Sequence, residues 1–269
     1  FGYTAVTFSQ ATAQYNAGKH FLIICVGGCF YPGMQGWTNC PGCNANSVVN
    51  YIHAALTTLF ENDLTSKTIG IVGVGNVGGR VAKMLQQKGV KVLLNDPPRA
   101  KQEPNIPFLP LSELQAQCDV ITFHVPLASD TYHLVNSTFL NDCKRTPLII
   151  NAARGEVCDT EALLQYNGDI VLDCWEGEPN ISIPLLNKVK IGTPHIAGYS
   201  VDGKANGTRM AAEAVCRHFG IDKHIEINVP GEKGTPYYIE GESNALKAHP
   251  EQFESFRNHY PIRRDNIVY

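Results

Sequence analysis

Thr68-Ile69-Gly70-Ile71-Val72-Gly73-Val74-Gly75-Asn76-Val77-Gly78 is the stretch on which the fold of this chain turns. Its first five residues form a short, continuous apolar run of the kind that makes a buried strand, and a glycine turn follows at once. Beyond Gly78, apolar residues recur at helical spacing as far as Lys88. A strand, a Gly-x-Gly-x-x-Gly turn and a helix in that order form a dinucleotide-binding signature. Gly73 permits the tight turn, Gly75 lets the backbone approach a pyrophosphate, and Gly78 lets helix and strand pack closely. The free N–H groups and the dipole of the helix favour the phosphate charge. Asp96, 18 residues beyond Gly78, ends the next strand. Its carboxylate would accept hydrogen bonds from the adenosine ribose hydroxyls and repel the additional phosphate of NADP, so NAD is the expected cofactor. The plainer alternative is a turn that holds no ligand, with Asp96 merely starting the Asp-Pro-Pro turn and Arg99 an ordinary surface residue.

Outward from this unit the pattern alternates. Strands are expected at 90–94, 119–123, 147–150, 169–172 and 188–191, and helices at 111–117, 137–143 and near 159–166. Apolar strands separated by helices imply a parallel sheet covered on both faces. Upstream, 44–60 carries helical spacing, and 1–42 holds one strand-like run at 21–26 with turn chemistry at Pro32-Gly33 and Gly36. Downstream, 203–219 reads as a long amphipathic helix ending at Gly220. The polar tail after it has too few apolar positions for a core of its own. The expected organisation is a first region 1–43, a connecting helix 44–65, a dinucleotide-binding domain 66–200, a return helix 201–222 and a C-terminal segment 223–269.

The chain has 269 residues, 43% hydrophobic and 17% charged, which suits two domains with a sizeable core. A net charge of −3 offers no basic surface for nucleic acid. The apolar run His20–Val26 is far shorter than the ~20 residues that span a bilayer, so no membrane partner is expected. The N-terminus lacks a basic start, apolar core and small-residue cleavage site, which points to the cytoplasm. Nine cysteines, mostly single within apolar segments, read as reduced, packed thiols. Cys25-x3-Cys29 and Cys40-x2-Cys43 resemble the spacing of a four-thiolate zinc site. The preferred reading is that Cys25 ends a buried strand and Cys43 opens a helix, and no metal is expected.

Chemistry is sought at the carboxyl ends of the later strands, where ligands of such sheets bind. Arg154 follows the strand at 147–150, Glu178 follows that at 169–172, and His195 lies in Gly192-Thr193-Pro194-His195 after 188–191. An arginine fork can hold a substrate carboxylate. A histidine can take a hydroxyl proton, and a carboxylate beside it raises its pKa and orients it. Together they suit oxidation of a 2-hydroxy acid, although residue types alone do not separate Glu176 from Glu178 as the histidine's partner. Singly, each has a structural reading as a solvated charge, a Glu-Pro turn or a helix cap.

These motifs carry a family resemblance. Asn151-Ala152-Ala153-Arg154-Gly155, Trp175-Glu176-Gly177-Glu178-Pro179, Thr122-Phe123-His124-Val125-Pro126-Leu127 and His195-Ile196-Ala197-Gly198-Tyr199, with Asp96-Pro97-Pro98-Arg99 and Pro41-Gly42-Cys43-Asn44-Ala45, resemble the D-2-hydroxyacid dehydrogenases over about residues 41–220. The resemblance implies a Rossmann-type doubly wound parallel sheet (α/β class) with a reduced flavodoxin-like catalytic domain in the first 43 residues. It implies Arg154, Glu178 and His195 as catalytic, Glu178 being chosen over Glu176 because it precedes the proline. It implies NAD contacts at Asn76, Val77, Asp96, Val125, Ala152, Ala153, Asp173 and Gly198, and substrate contact at Tyr199 beside Arg154. A small phosphorylated 2-hydroxy acid is the implied substrate, with glycerate or phosphoglycerate as alternatives. A homodimer formed through the C-terminal segment is the implied assembly, since Phe256-Arg257-Asn258 and Tyr260-Pro261-Ile262-Arg263-Arg264 echo the end of that region. A non-catalytic NAD-responsive binding protein is the reading from another class.

Overall fold

The structure, a computed structural model, describes residues 23–25, 37–229, 235 and 237–265. The turn residues expected at Pro32-Gly33 and Gly36, and Cys29, lie outside the described residues. Contacts divide the chain into two compact units, Phe1–Cys43 with Ala205–Asn228, and Asn44–Lys204 with Val229–Tyr269.

In the first unit, β1 (Ile23–Cys25) pairs in parallel with β2 (Trp37–Asn39), so Cys25 lies in a strand. Cys40 donates its thiol hydrogen to the Gly207 carbonyl at 3.3 Å, and the Asn206 amide donates to the Cys43 carbonyl at 3.3 Å.

The second unit is built on a six-stranded parallel sheet. Its strands are β3 (Thr68–Val72), β4 (Lys91–Asn95), β5 (Val120–Phe123), β6 (Leu148–Asn151), β7 (Ile170–Leu172) and β8 (Ile191–Gly192), in the spatial order β4-β3-β5-β6-β7-β8. The chain leaves β3 in one direction to make β4 and returns on the other side to make β5. That reversal creates the switch point beside which ligands of such sheets bind. A parallel bridge from Leu94 to Phe108 extends the β4 edge. Every residue of β3, β5, β6 and β7 is buried, as expected of strands covered on both faces, whereas β4 is partly exposed.

Helices α1 (Ala45–Phe60) and α2 (Gly78–Gln87) cover one face. Tyr51, Ile52 and Leu56 of α1 meet Val81, Met84 and Leu85 of α2 and Ile69 and Ile71 of β3 in one apolar cluster. The segment read from its sequence as a connector is thus also a wall of this core. On the other face lie α4 (Leu111–Gln117), α5 (Ser137–Asp142), α6 (Thr160–Gln165) and α7 (Ile183–Lys188), which bury Leu114, Phe139, Leu163 and Leu185 against Phe123 and Leu172.

Four short helices escaped the sequence reading. Asp96 does more than start a turn: it caps α3 (Pro97–Gln102), accepting a hydrogen bond from the Arg99 N–H at 3.1 Å. Ser182 likewise caps α7, which consumes Lys188 and leaves only Ile191–Gly192 for the last strand. After α8 (Val201–Phe219), the polar tail folds into α9 (Ile239–Ala248) and α10 (Phe253–Asn258). It makes no core of its own. Instead, Ile239, Leu246 and Phe253 insert into the two existing apolar clusters. A helix that contributes one or two anchors to another core has too weak a periodicity to be seen in advance.

Candidate active site

The glycine turn opens the site. Gly73 has φ +86°, and a Cβ there would stand 2.8 Å from the His124 backbone of the neighbouring strand end. A Cβ on Gly78 would come within 1.9 Å of the Gly73 carbonyl oxygen, so the helix can start there only without a side chain. Gly75 differs: a Cβ on it would meet nothing within 4 Å. No internal contact demands that glycine, and the open space in front of it suits a phosphate group. Asn76 is exposed beside it, and Val77 precedes the first turn of α2.

Asp96 faces this turn. One carboxylate oxygen accepts from the Val74 N–H at 2.8 Å and the other from the Arg99 N–H at 3.1 Å, which leaves lone pairs for ribose hydroxyls. Arg99 is itself engaged, bonded to the Val74 carbonyl and paired with Glu103 at 2.6 Å. A cleft of about 720 Å³ runs from here across the switch point, walled by Gly73, Asp96, Pro98, Phe108, Leu109, Val125 and Pro126 among others. A mostly apolar slot with a carboxylate at its lip and a bare glycine turn at its floor fits a dinucleotide. At the switch point, burial pushes the His124 imidazole down to about 4, so it is neutral at physiological pH. Its Nε2 lies 3.1 Å from Thr122 Oγ1.

The predicted catalytic residues gather at the same sheet edge. Arg154 leaves β6 and donates from a guanidinium nitrogen to the Ala153 carbonyl at 2.6 Å. Cys174, just past β7, donates its thiol to that same carbonyl at 3.4 Å. The Cys174 sulfur, a Glu178 oxygen and a His195 nitrogen all lie within 4.8 Å of one another. Burial, with the nearby Asp173 and Glu178 charges, keeps the thiol protonated. Sequence reading passed over Cys174, since a lone cysteine after a strand usually only packs.

His195 Nδ1 lies 2.7 Å from Glu178 Oε2, and Oε1 of the same carboxylate accepts the Trp175 N–H at 2.7 Å. A carboxylate only accepts, so the ring proton of neutral His195 sits on Nδ1 and Nε2 presents a lone pair. Burial alone would lower the His195 pKa. The Glu178 hydrogen bond and the charges of Asp173 and Glu178 outweigh it and hold the imidazole above its ordinary value.

The backbone that aims this ring is strained, for His195 has φ 54°. Asp173 holds it there. Its buried carboxylate accepts from Thr193 Oγ1 at 2.7 Å and from the Ile196 and Ala197 N–H groups at 2.8 and 2.9 Å. Tyr51 adds a 2.7 Å bond to Thr193 Oγ1 from α1. Burial lifts the Asp173 carboxyl above its usual range, against the opposing effect of His195 and these donors. Gly198 is similarly committed to packing, since a Cβ there would stand 2.4 Å from the Asn44 amide nitrogen. Ala152 and Ala153 turn out of β6 directly before Arg154. Tyr199 stands edge-on to Tyr260 at 5.7 Å, which brings the C-terminal segment against it.

The sequence model of the D-isomer-specific 2-hydroxyacid dehydrogenase NAD-binding domain matches residues 48–197, the span that contains the glycine turn and all three candidate catalytic residues. The chain belongs to the D-2-hydroxyacid dehydrogenases. It is 46% identical over 268 aligned positions to erythronate-4-phosphate dehydrogenase of Bacteroides thetaiotaomicron, covering 90% of this chain and 76% of that protein. With the enzyme of the same name from Serratia proteamaculans it shares 40% identity over 266 positions, covering 86% and 71%. The D-lactate dehydrogenase of Aquifex aeolicus, solved with NAD and lactic acid, superimposes with a TM-score of 0.56 at 25% identity, covering 69% of this chain and 70% of that one. The NAD-bound 3-phosphoglycerate dehydrogenase of Entamoeba histolytica shares the fold with a TM-score of 0.61 at 24% identity, covering 76% and 75%. This D-2-hydroxyacid dehydrogenase therefore carries an NAD-binding domain, whose matched span includes Gly75 and Asp96. Among its described residues, no helix is long and apolar enough to cross a membrane.

Proposed function

We propose that this dehydrogenase oxidises 4-phospho-D-erythronate to 2-oxo-3-hydroxy-4-phosphobutanoate, a step of vitamin B6 biosynthesis, in the cytoplasm. The observation that carries the reaction type is the 2.7 Å His195–Glu178 pair at the sheet edge that also holds Arg154. The choice of acid rests on the likeness to erythronate-4-phosphate dehydrogenases that spans most of the chain. NAD supplies the hydride acceptor when bound. Asn76, Val77, Gly73, Gly75, Gly78, Asp96, Val125, Ala152, Ala153, Asp173 and Gly198 are the residues assigned to its site, Asp173 and Gly198 through the turns they hold. Arg154 takes the substrate carboxylate on its planar fork, and Tyr199 meets the remainder. His195 Nε2 removes the C2 hydroxyl proton, and Glu178 stabilises the imidazolium that forms. Cys40, Cys118, Cys158 and Cys174 are buried thiols, which suits the reducing cytoplasm.

The test is turnover of purified protein with NAD on 4-phospho-D-erythronate, D-erythronate, D-glycerate and 3-phosphoglycerate. The highest kcat/KM is expected for 4-phospho-D-erythronate. A preference for one of the glycerates would overturn the substrate, and NAD binding with no turnover on any acid would mark a binding protein instead.

We further propose a homodimer built through residues 223–269. In that segment Tyr238 and Ile262 are large apolar residues left 71% and 48% exposed, which gives a second copy something to cover.

A further inference from the structure

The proposed substrate carries two anionic ends, and Arg154 accounts for only one. A phosphate holds about −1.5 to −2 charges near neutral pH and is matched by a bidentate guanidinium. The C-terminal helix α10 supplies a second arginine. Arg257 lies beside Tyr199, and its charge also reaches His195. Tyr260, one turn further along the chain, holds the same Tyr199 ring at 5.7 Å. The Arg257 side chain stays 23% exposed, so a ligand can reach it. Its buried Nε has no hydrogen-bond partner, which is a costly state for a donor. Its visible ion-pair partner is Glu254 at 2.7 Å, itself half exposed, and such a surface pair is worth little and is readily exchanged. The other cation at Tyr199, Lys204, already lies over the ring face at 5.1 Å. Phe253, on the same short helix, anchors α10 in the core, so the position of Arg257 is fixed by packing rather than by the ligand.

We infer that Arg257 receives the terminal phosphate of the substrate and makes the C-terminal segment part of the specificity site. This rests on the proposed phosphorylated 2-hydroxy acid. Ligand binding replaces the Glu254 pair with a phosphate pair at the same guanidinium nitrogen. Arg154 and Arg257 then address opposite ends of the acid, with His195 at the hydroxyl between them.

The inference is tested by measuring kcat and KM of the full chain and of Arg257→Gln, Arg257→Lys and Glu254→Gln on 4-phospho-D-erythronate and on D-erythronate, with inorganic phosphate as a competing probe. Loss of a charge-assisted bond predicts that Arg257→Gln lowers the preference for the phosphorylated acid by about 10- to 100-fold, through KM. Phosphate should cease to compete in that variant. Arg257→Lys should restore part of the preference, and Glu254→Gln should leave or improve it. An Arg257→Gln variant that retains the preference, or that loses both substrates equally with a displaced histidine pH limb, overturns the inference. Should Arg257→Gln fail to fold, undiminished phosphate preference in Arg257→Lys together with a weakened one in Glu254→Gln does so. A wild-type protein that prefers a non-phosphorylated acid refutes the proposed substrate itself, and that result is read before any variant is compared.

Discussion

Glu176 and Glu178, separated by a single glycine, direct their carboxylates to two different histidines. Glu178 Oε2 lies 2.7 Å from His195 Nδ1, while Glu176 Oε1 lies 2.7 Å from His133 Nε2 and its other oxygen accepts the Thr160 N–H at 3.2 Å. One carboxylate faces the candidate chemistry, and the other ties the loop at 128–136 to α6.

Oxidation requires His195 unprotonated, and Glu178 holds its pKa up. Removing that charge in Glu178→Gln therefore lowers the pKa, and the acidic limb of the kcat/KM profile moves to lower pH. The maximal oxidation rate falls, since the imidazolium loses its counter-charge. Glu176→Gln should leave the limb where it is. His195→Ala should lower kcat by about 100- to 10,000-fold with NAD affinity retained. A pH profile that is the same in both carboxylate variants, or near-normal turnover in His195→Ala, contradicts the assignment.

Cofactor choice is tested at Asp96. Asp96→Asn keeps one acceptor oxygen, which can serve the Arg99 N–H that caps α3 or the Val74 N–H but not both, and it removes the charge. NAD should bind about 10- to 100-fold more weakly, the scale of a hydrogen bond to a charged group, and NADP should gain relative to it. Fluorescence titration with both dinucleotides measures the gap. Tighter binding of NADP by the unaltered protein would show that the carboxylate does not set the preference.

The two neighbouring glycines should fail differently. Gly78→Ala places a methyl 1.9 Å from the Gly73 carbonyl, so backbone must move and stability should drop by about 1–3 kcal/mol. Gly75→Ala meets nothing within 4 Å and should leave the melting temperature nearly unchanged while weakening NAD. Thermal denaturation paired with NAD titration separates the cases. Unimpaired NAD binding in Gly75→Ala would remove that turn from the phosphate site.

Arg263 is only 2% exposed. It is ion-paired with Glu242 and stacked between the rings of Tyr237 and Tyr260 at 3.8 and 4.6 Å. Arg263→Met takes away the partner of the buried Glu242 carboxyl, which burial already pushes up to about 8 and which then takes a proton, so the variant should cost about 1–3 kcal/mol in urea denaturation. The double variant Arg263→Met with Glu242→Leu should recover much of that loss. Equal stability of single and double variants would mean that the pair contributes through packing alone.

Self-association is checked by light scattering at micromolar concentrations. A dimer is expected, and Tyr238→Lys with Ile262→Lys should shift it toward monomer. A wild-type mass near 29.5 kDa throughout that range excludes the dimer.

The sequence by itself determined what depends on neighbours along the chain. Strand and helix periods, the φ freedom required at Gly73 and the small residue required at Gly78 are local demands, and they specify a parallel sheet with a dinucleotide turn before any long-range contact is known. The same locality placed Arg154, Glu178 and His195 after successive strands, and so at one sheet edge. Tertiary structure decided what depends on distant segments meeting. The chain crossing brings Glu178, the carboxylate that the family resemblance had selected, to His195, commits the Asp173 carboxylate to the 195–197 turn, and seats Tyr260 and Arg257 against Tyr199. The tail illustrates the physical reason. Ile239, Leu246 and Phe253 are too few to make a core, but each is a sufficient anchor where another segment has already built one, and no pattern within the tail itself can announce that.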